Sequence, residues 1–366
     1  MRPFRSTVGI AVVAVVIGVL AALRLLVVFD WDPTVFTAFG EEAYATTEFA
    51  ENQLDREVLT RPRQGHDGKF FFVQAHDPLV LEPERHAGIL DRPVYRAQRM
   101  LYPMLVGVGG VLPSEAIVWS MPFLNVLMLG VGSWAVASIA RRHGAPAWVG
   151  LAFALNIGLL SELFIDGAGI TAFAFVALGA WALEEDRTGL ATAAFVAAAL
   201  TREVMAIFIG FVALIWLVRR KVIPWAISVP AALAIVSWAI YLRVRIEIPA
   251  DADQVREITL LPFSGVGEAI TSGNANPIDL LVIGIFLALI VMVPYRAWRS
   301  DVYLTWGAVG FAALGPFLTV FVWQKSFDIS RALAPLVTVF VVELFVNRNR
   351  RRHAKLESEL GQRTLA

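Results

Sequence analysis

Several groups of ionisable residues in this chain stand beside or inside apolar sequence, and their types suit binding of an anion. The stretch Gly65–Pro78, GHDGKFFFVQAHDP, sets His66, Asp67, Lys69, His76 and Asp77 around the phenylalanines Phe70, Phe71 and Phe72. Asp67-Gly68 is a pair with turn chemistry, and so is Asp77-Pro78. For Asp77 the turn reading is preferred. For Asp67 it competes with a functional carboxylate, held in place if the three phenylalanines anchor the loop at a bilayer surface. Arg92, Arg96 and Arg99 recur at about one helical turn and can line one face. Guanidinium forks match phosphate oxygens, so the cluster fits either a phosphate ligand or lipid headgroups. Arg202 and Glu203 interrupt apolar sequence between Thr192 and Trp216, as a binding pair or as an ion pair that fixes helix packing. Lys325, Asp328 and Arg331 form a further group, two of the three basic, which reads as an anion site or as an ordinary interhelical loop. Glu162 and Asp166 are four apart and share a helix face if one helix runs through both.

Other chemistries find no support. There is no cysteine, which excludes disulfides, thiolate metal sites and cysteine nucleophiles. No HExxH spacing occurs, and His66 and His76 are ten residues apart. No Gly-rich phosphate loop or nucleophile elbow is present, which argues against a soluble nucleotide site and for a substrate that arrives through lipid. A formal net charge of zero gives no reason to expect nucleic acid.

The elements that must position these groups are membrane helices. Hydrophobic residues make up 57% of the chain and charged residues only 17%, and apolar runs approach the ~20 residues needed to cross a bilayer. The expected fold is an all-α integral membrane bundle of about ten transmembrane helices. The first span is Val8–Phe29, too long for a cleaved signal peptide. Residues 30–98 form a first external loop, with an amphipathic surface helix over Glu41–Arg56 and an interfacial or re-entrant piece at Leu101–Leu112. Further spans are placed at 115–140, 146–161, 168–184, 188–201, 204–219, 223–246, 278–296, 302–323 and 331–347. Residues 1–347 thus read as one transmembrane domain, and 348–366 as a basic tail. Arg141-Arg142-His143, Arg187, Arg219-Arg220-Lys221, Arg296, Arg299 and the tail fall on one side, which the Lys/Arg bias assigns to the cytoplasm with both termini. Asp67, Lys69, Arg96, Arg99, Glu162, Asp166, Arg202, Glu203, Lys325 and Arg331 fall on the other. Ionisable residues at such depth are functional candidates by default.

Gly65-His66-Asp67-Gly68-Lys69-Phe70-Phe71 with Asp77-Pro78, and Tyr95-Arg96 with Gln98-Arg99-Met100-Leu101-Tyr102-Pro103, resemble a pattern of bacterial multi-spanning glycosyltransferases of the GT-C fold. Thr201-Arg202-Glu203 closing an Ala-rich helix and Arg331-Ala332-Leu333-Ala334-Pro335 opening a late span are similar too. Family members often carry an aromatic at the position of His66 and Gln at that of Lys69. The resemblance covers most of the chain and lies in the order and sidedness of short motifs. It implies a polyprenyl-phosphate-linked sugar donor, used on the external face. It also implies that Asp67 is the catalytic carboxylate, as a general base on the acceptor hydroxyl or as ligand to a divalent cation. Lys69, Arg96, Arg99, Glu162, Asp166, Arg202, Glu203, Lys325 and Arg331 would then bind substrate, and the acceptor would be a cell-envelope glycan, glycolipid or protein. No cytosolic cofactor is needed. Many such enzymes carry a large soluble C-terminal domain that this sequence lacks.

Two other functions fit a polytopic chain. A transporter or flippase of lipid-linked sugars predicts internal repeats and charge in both halves of the bundle, whereas no repeat is found and the charge is one-sided. A non-catalytic membrane partner of an envelope complex predicts that Asp67 is replaceable.

Overall fold

The computed structural model describes residues 6–247 and 257–348. The expected basic tail, apart from Arg348, lies outside the described residues, as do 1–5 and part of the 247–277 loop. The described chain is almost entirely helical. α1 (Thr7–Val28) leads into a loop built from α2 (Thr34–Thr37), α3 (Tyr44–Leu54), α4 (Gly68–Ala75), α5 (Pro83–Ile89), α6 (Pro93–Ala97) and α7 (Leu101–Val106). The bundle follows with α8 (Ser114–Arg142), α9 (Leu151–Ala154), α10 (Ile157–Leu163), α11 (Gly169–Glu184), α12 (Thr188–Thr201), α13 (Met205–Arg220) and α14 (Trp225–Arg245). The chain ends in α15 (Ser264–Thr271), α16 (Pro277–Ala297), α17 (Tyr303–Leu314), α18 (Val320–Trp323), α19 (Ser326–Ala332) and α20 (Ala334–Arg348).

Burial follows the pattern of each helix. α11 is apolar almost all round, as a helix at the centre of a bundle must be. All of it is buried except Phe175, Leu178 and Trp181, which are partly so. The ring of Phe195, on α12, packs directly on Gly179 of α11, where a side chain would collide with it; small residues let helices approach in this way. α1 buries only Ile10, Ala14, Gly18 and Leu26, a stripe at four-residue steps and their multiple, with Gly18 on Val126 and Leu129 of α8 and Leu26 on Val35 and Phe36 of α2. The rest of its surface is partly or fully exposed and, apart from Thr7 and Arg24, apolar, with Val8, Val12, Val16 and Leu20 the exposed face. α14 likewise exposes Val229, Leu233, Val236, Ile240 and Val244. Apolar faces of this extent suit lipid.

Among the described residues four helices, α1, α8, α14 and α16, are long and apolar enough to cross a membrane. The pair α19–α20, bent by 65°, can count as a fifth broken span. The expected spans at 146–161 and 302–323 are not single helices. The first is a 3-10 turn over Ala147–Gly150 followed by α9 and α10, and Asn156 starts α10 by accepting from the Gly158 amide. The second divides into α17, a 3-10 turn at Gly315–Phe317 and α18, and Pro316 ends the helical run. The expected surface helix appears as α3. Leu101–Leu112 becomes α7 with a 3-10 turn at Val108–Gly110.

Charges collect at the two ends of α8, the longest helix of the bundle. At its C-terminal end Arg142 pairs with Glu185 at 2.8 Å, His143 Nε2 meets Glu184 at 3.2 Å, and Arg220 pairs with Asp186 at 2.9 Å. At its N-terminal end the first loop folds over the bundle, with the Ser114 hydroxyl 2.9 Å from His76 Nε2. The loop is pinned by a short parallel pairing of Phe39–Gly40 with Thr60–Arg61. It is also pinned by Arg61, whose Nη2 donates to the carbonyls of Val35 and Phe164 at 2.9 and 2.8 Å.

A candidate anion site under the first loop

Asp67 is placed by its neighbours in sequence. Gly65 has a positive φ, a left-handed conformation that glycine adopts without strain. The turn it makes lets His66 donate its amide to the Ala38 carbonyl at 3.0 Å. Asp67 then precedes α4, its carbonyl accepting from the amide of Phe70 at 3.0 Å. Gly68 touches the bundle: a Cβ there would stand 2.5 Å from the Ile165 carbonyl oxygen and 2.7 Å from that of Thr37. The close approaches that Gly65 and Gly68 permit are therefore to the protein's own backbone. The phenylalanines do not anchor at a bilayer surface either. Every residue of α4 is buried, and Phe71 and Phe72 pack with Phe39, Tyr102 and Met121. Asp67 is fixed from inside the fold.

Around it the fold gathers five arginines. Arg92 caps α6, Arg96 lies in its last turn and Arg99 follows it; Arg202 caps α12; Arg331 lies in the last turn of α19. α10 packs against α19 with Gly158 on the Ser330 carbonyl, which brings Glu162 beside Arg331. Arg96 Nη1 donates to Asp67 Oδ1 at 2.9 Å, and Arg331 Nη2 to Oδ2 at 3.1 Å, with Arg99 Nη1 at 3.6 Å from Oδ2. Glu162, 1% exposed, receives Arg331 Nε at 3.0 Å, Arg202 Nη1 at 3.3 Å and the Gly169 amide at 3.2 Å. Glu203 holds Arg99 at 3.3 Å, and Glu257 holds Arg92 at 2.9 Å. Arg96 also grips Asp91 with two bonds of 2.8 and 3.0 Å and lies 4.0 Å over the Phe70 ring.

These groups surround a cavity of about 490 Å³. Lys69 and five arginines face it against Asp67, Asp91, Glu257 and Asp328, an excess of two positive charges in the lining. Burial opposes ionisation of Asp67, but the guanidiniums of Arg96, Arg331, Arg99 and Arg202 outweigh it and hold its carboxyl well below the usual carboxylate range. Burial lowers Lys69 to about 8, and its ammonium donates to the Gln64 carbonyl. Burial, with Arg331 adding to it, lowers His66 to about 4, so this ring is neutral at neutral pH; it lies 5.1 Å from the Phe327 ring.

A second pocket of about 280 Å³ adjoins the first through Tyr95, Arg99, Arg202, Glu257, Val322 and Ala332. Its other walls are largely apolar: Val204, Ile207, Ile258, Leu314 and Leu318.

The sequence-predicted residues therefore divide. Asp67, Lys69, Arg96, Arg99, Arg202 and Arg331 line the cavity, and Glu162 and Glu203 stand behind the arginines as counter-charges. Asp166 does not join them. α10 ends at Leu163, so no helix carries Glu162 and Asp166 on one face. Asp166, with a positive φ, is fully buried away from the cavity, with Arg61 as its opposing charge. Lys325 is also outside, its side chain 51% exposed and directed at Asp279 and the Asn274 carbonyl. Asp77 is a turn residue, accepting from the amides of Leu81 and Glu82 at 2.8 Å each. Sequence reasoning missed Gln64 and Glu257, and gave Tyr95 only as part of a motif, with no role. Nothing in the local sequence marks Glu257, which reaches Arg92 across 165 residues.

Among the described residues no group of three His, Asp or Glu is arranged to hold a metal ion. Asp67, expected as a general base with a divalent-cation ligand as the alternative, has guanidinium groups on both oxygens. Comparison with protein-family models, curated proteins and solved structures found no match.

Proposed function

We propose that this protein is an inverting membrane glycosyltransferase of the GT-C type, which transfers a sugar from a polyprenyl-phosphate donor to a cell-envelope acceptor. The observation that carries the reading is the junction of the two pockets. An arginine-lined cavity adjoins a groove with largely apolar walls, and Arg99 and Arg202 belong to both. A phosphate bonded to a hydrocarbon chain on one side and to a polar group on the other has that shape and polarity. Guanidinium groups bind its oxygens with charge-assisted hydrogen bonds, and the groove takes the first isoprene units. The charge at the basic end of α8 favours a cytoplasmic location for that end, by the Lys/Arg bias, with the cavity on the external face of a bundle in which the short helices α11, α12 and α13 and the broken segments add to the long helices to make about ten spans.

In the reaction the acceptor hydroxyl oxygen forms a bond to C1 of the sugar as the C1–O bond to phosphate breaks. The bonding pair stays on the phosphate, and the hydroxyl proton passes to Asp67. Arg96, Arg99, Arg202 and Arg331 stabilise the charge that grows on the leaving phosphate. An arginine-held Asp67 is a weak base. The donor phosphate competes for those same guanidiniums, however, so donor binding loosens their hold and raises Asp67 basicity when a base is needed.

The test is binding of farnesyl phosphate to the purified protein, with farnesol as control. The reading requires that the phosphate be preferred and that increasing salt or inorganic phosphate weaken its binding. Equal binding of alcohol and phosphate would overturn it.

A further inference from the structure

A third cavity, of about 360 Å³, lies beside Lys69 and Phe70 and shares no lining residue with the apolar groove. It shares Gln64, Lys69, Phe70 and Asp91 with the arginine cavity, so the two have a common wall. Its chemistry differs. No arginine lines it; its polar side chains are those of Glu42, Tyr44, Thr46, Gln64, Lys69 and Asp91. Two carboxylates against one ammonium disfavour a second anion. Carboxylates accept from hydroxyls, the ammonium donates to them, and the amide does both. Tyr44 is largely exposed, so its ring offers an open amphipathic face. The volume lies at the small end of ligand sites, about 300–1,000 Å³.

We infer that this side cavity is the acceptor subsite and that it takes a neutral, hydroxyl-bearing sugar unit. The inference rests on the glycosyltransferase reading and adds the class of acceptor and its route. Arg96 joins the two compartments, since it bonds Asp91 at the edge of the side cavity and Asp67 in the main one. A sugar seated against Gln64 and Asp91 would direct a hydroxyl past Arg96 towards Asp67. The lipid tail would leave by the separate groove, so donor and acceptor would not compete for space.

Gly88 lines the side cavity, and a Cβ placed on it meets nothing within 4 Å. Gly88→Trp therefore adds a bulky ring at the cavity wall without a clash at its Cβ. The probes are methyl glycosides of glucose, galactose and mannose, read by saturation-transfer NMR on the full-length protein, and farnesyl phosphate, read by direct binding. The expected result is saturation transfer to at least one glycoside with the parent protein, loss to background in Gly88→Trp, and a clear reduction in Tyr44→Ala. Farnesyl phosphate should bind both variants as it binds the parent, which also shows that they are folded. Glycosides that bind the Gly88→Trp protein unchanged, or that never bind the parent, overturn the subsite. Preferential binding of ethanolamine over all three glycosides overturns the neutral class. Failure of farnesyl phosphate to bind the parent sinks the donor reading instead, and so is distinguishable.

Discussion

Arg331 Nη2 lies 3.1 Å from Asp67 Oδ2 across a sequence separation of 264 residues. The same guanidinium reaches Glu162 through Nε. A first-loop residue and a residue of the last bent helix pair thus meet over one charge. This contact fastens the loop over the bundle and fixes the geometry of the cavity. Any anion that enters must compete with Asp67 for it.

The first prediction separates the packing role of Arg331 from its ligand role. Arg331→Ala leaves Glu162, 1% exposed, with only Arg202 as its charged partner. Removing one partner of a buried pair typically costs about 3–5 kcal/mol, so a large fall in thermal stability is expected. Arg202→Ala should cost less, because Glu162 keeps the shorter contact. Adding Glu162→Gln to Arg331→Ala should recover much of the stability but none of the affinity for farnesyl phosphate, which should stay about 10–100-fold down, as for a lost charge-assisted hydrogen bond. Recovery of binding along with stability would mean that Arg331 only supports the fold.

Lys69 gives a pH dependence. With its ammonium lowered to about 8 by burial, it is charged at neutral pH and loses its proton as pH rises through that value. A bound anion favours the charged form, so linkage requires affinity for the anion to fall as pH rises above about 8. Titrating farnesyl phosphate binding from about pH 7 upward measures this, a range in which the phosphate itself is already ionised (second pKa about 6). In Lys69→Gln the step should vanish. A step that persists in that variant belongs to another group.

Sidedness can be tested directly because the chain has no cysteine. Single cysteines at Tyr44, near the cavity, and at Asp186, at the basic end of α8, should label from opposite sides of the membrane with an impermeant maleimide. The expected assignment is Tyr44→Cys external and Asp186→Cys internal. The reverse would put the cavity on the cytoplasmic face, out of reach of a donor presented externally.

What the sequence revealed here followed from how local each signal is. Arg202 is visible because it interrupts an apolar run, where burying a charge without purpose is costly, and Arg96 and Arg99 by their helical spacing; with Arg331 they do share one cavity. Helix breaks were less legible. Asn156 and Pro316 divide two expected spans, and hydropathy alone averages over such breaks. The same limit misplaced Asp166: four-residue spacing means a shared face only inside one helix, and α10 stops at Leu163. Lys325 was grouped with Arg331 by proximity in sequence, yet it precedes α19 and turns to Asp279. Phe70, Phe71 and Phe72 lie in the longest non-membrane segment of the sequence, which suggests anchoring at the bilayer surface. Their burial depends on α3, α7 and α8 closing around α4, a long-range arrangement without local trace.

The last prediction concerns Asp67→Asn. The change keeps shape, removes the base and leaves the cavity with one more unit of positive charge. The variant should fold and insert, bind farnesyl phosphate at least as tightly as the parent, and transfer sugar at least ~100-fold more slowly, the scale of a lost general base. A purely structural role predicts the opposite pattern, with weaker binding and lower stability as the arginines lose their anchor. The pH profiles of the parent add a second readout. Free-enzyme ionisations appear in kcat/KM and those of the complex in kcat. With Asp67 held well below the usual carboxylate range in the empty cavity, kcat/KM should show no acid limb from it above about pH 4, near the usual aspartate value. Once phosphate has drawn the guanidiniums away, the limb in kcat should move to higher pH. The stability that ionised Asp67 contributes has the same sign: its folded pKa is depressed, so the contribution is present above the unfolded value and is lost only as pH falls below it. A change in kcat between about pH 5 and 7, above the usual aspartate value, is therefore not unfolding through Asp67, and Asp328→Asn, at the other carboxylate that faces Arg331 in the cavity, should leave it in place if it belongs to Asp67. If the Asn variant transfers sugar at the parent rate, Asp67 is a counter-ion that keeps the arginines apart until the donor arrives, and the proton must leave by another route.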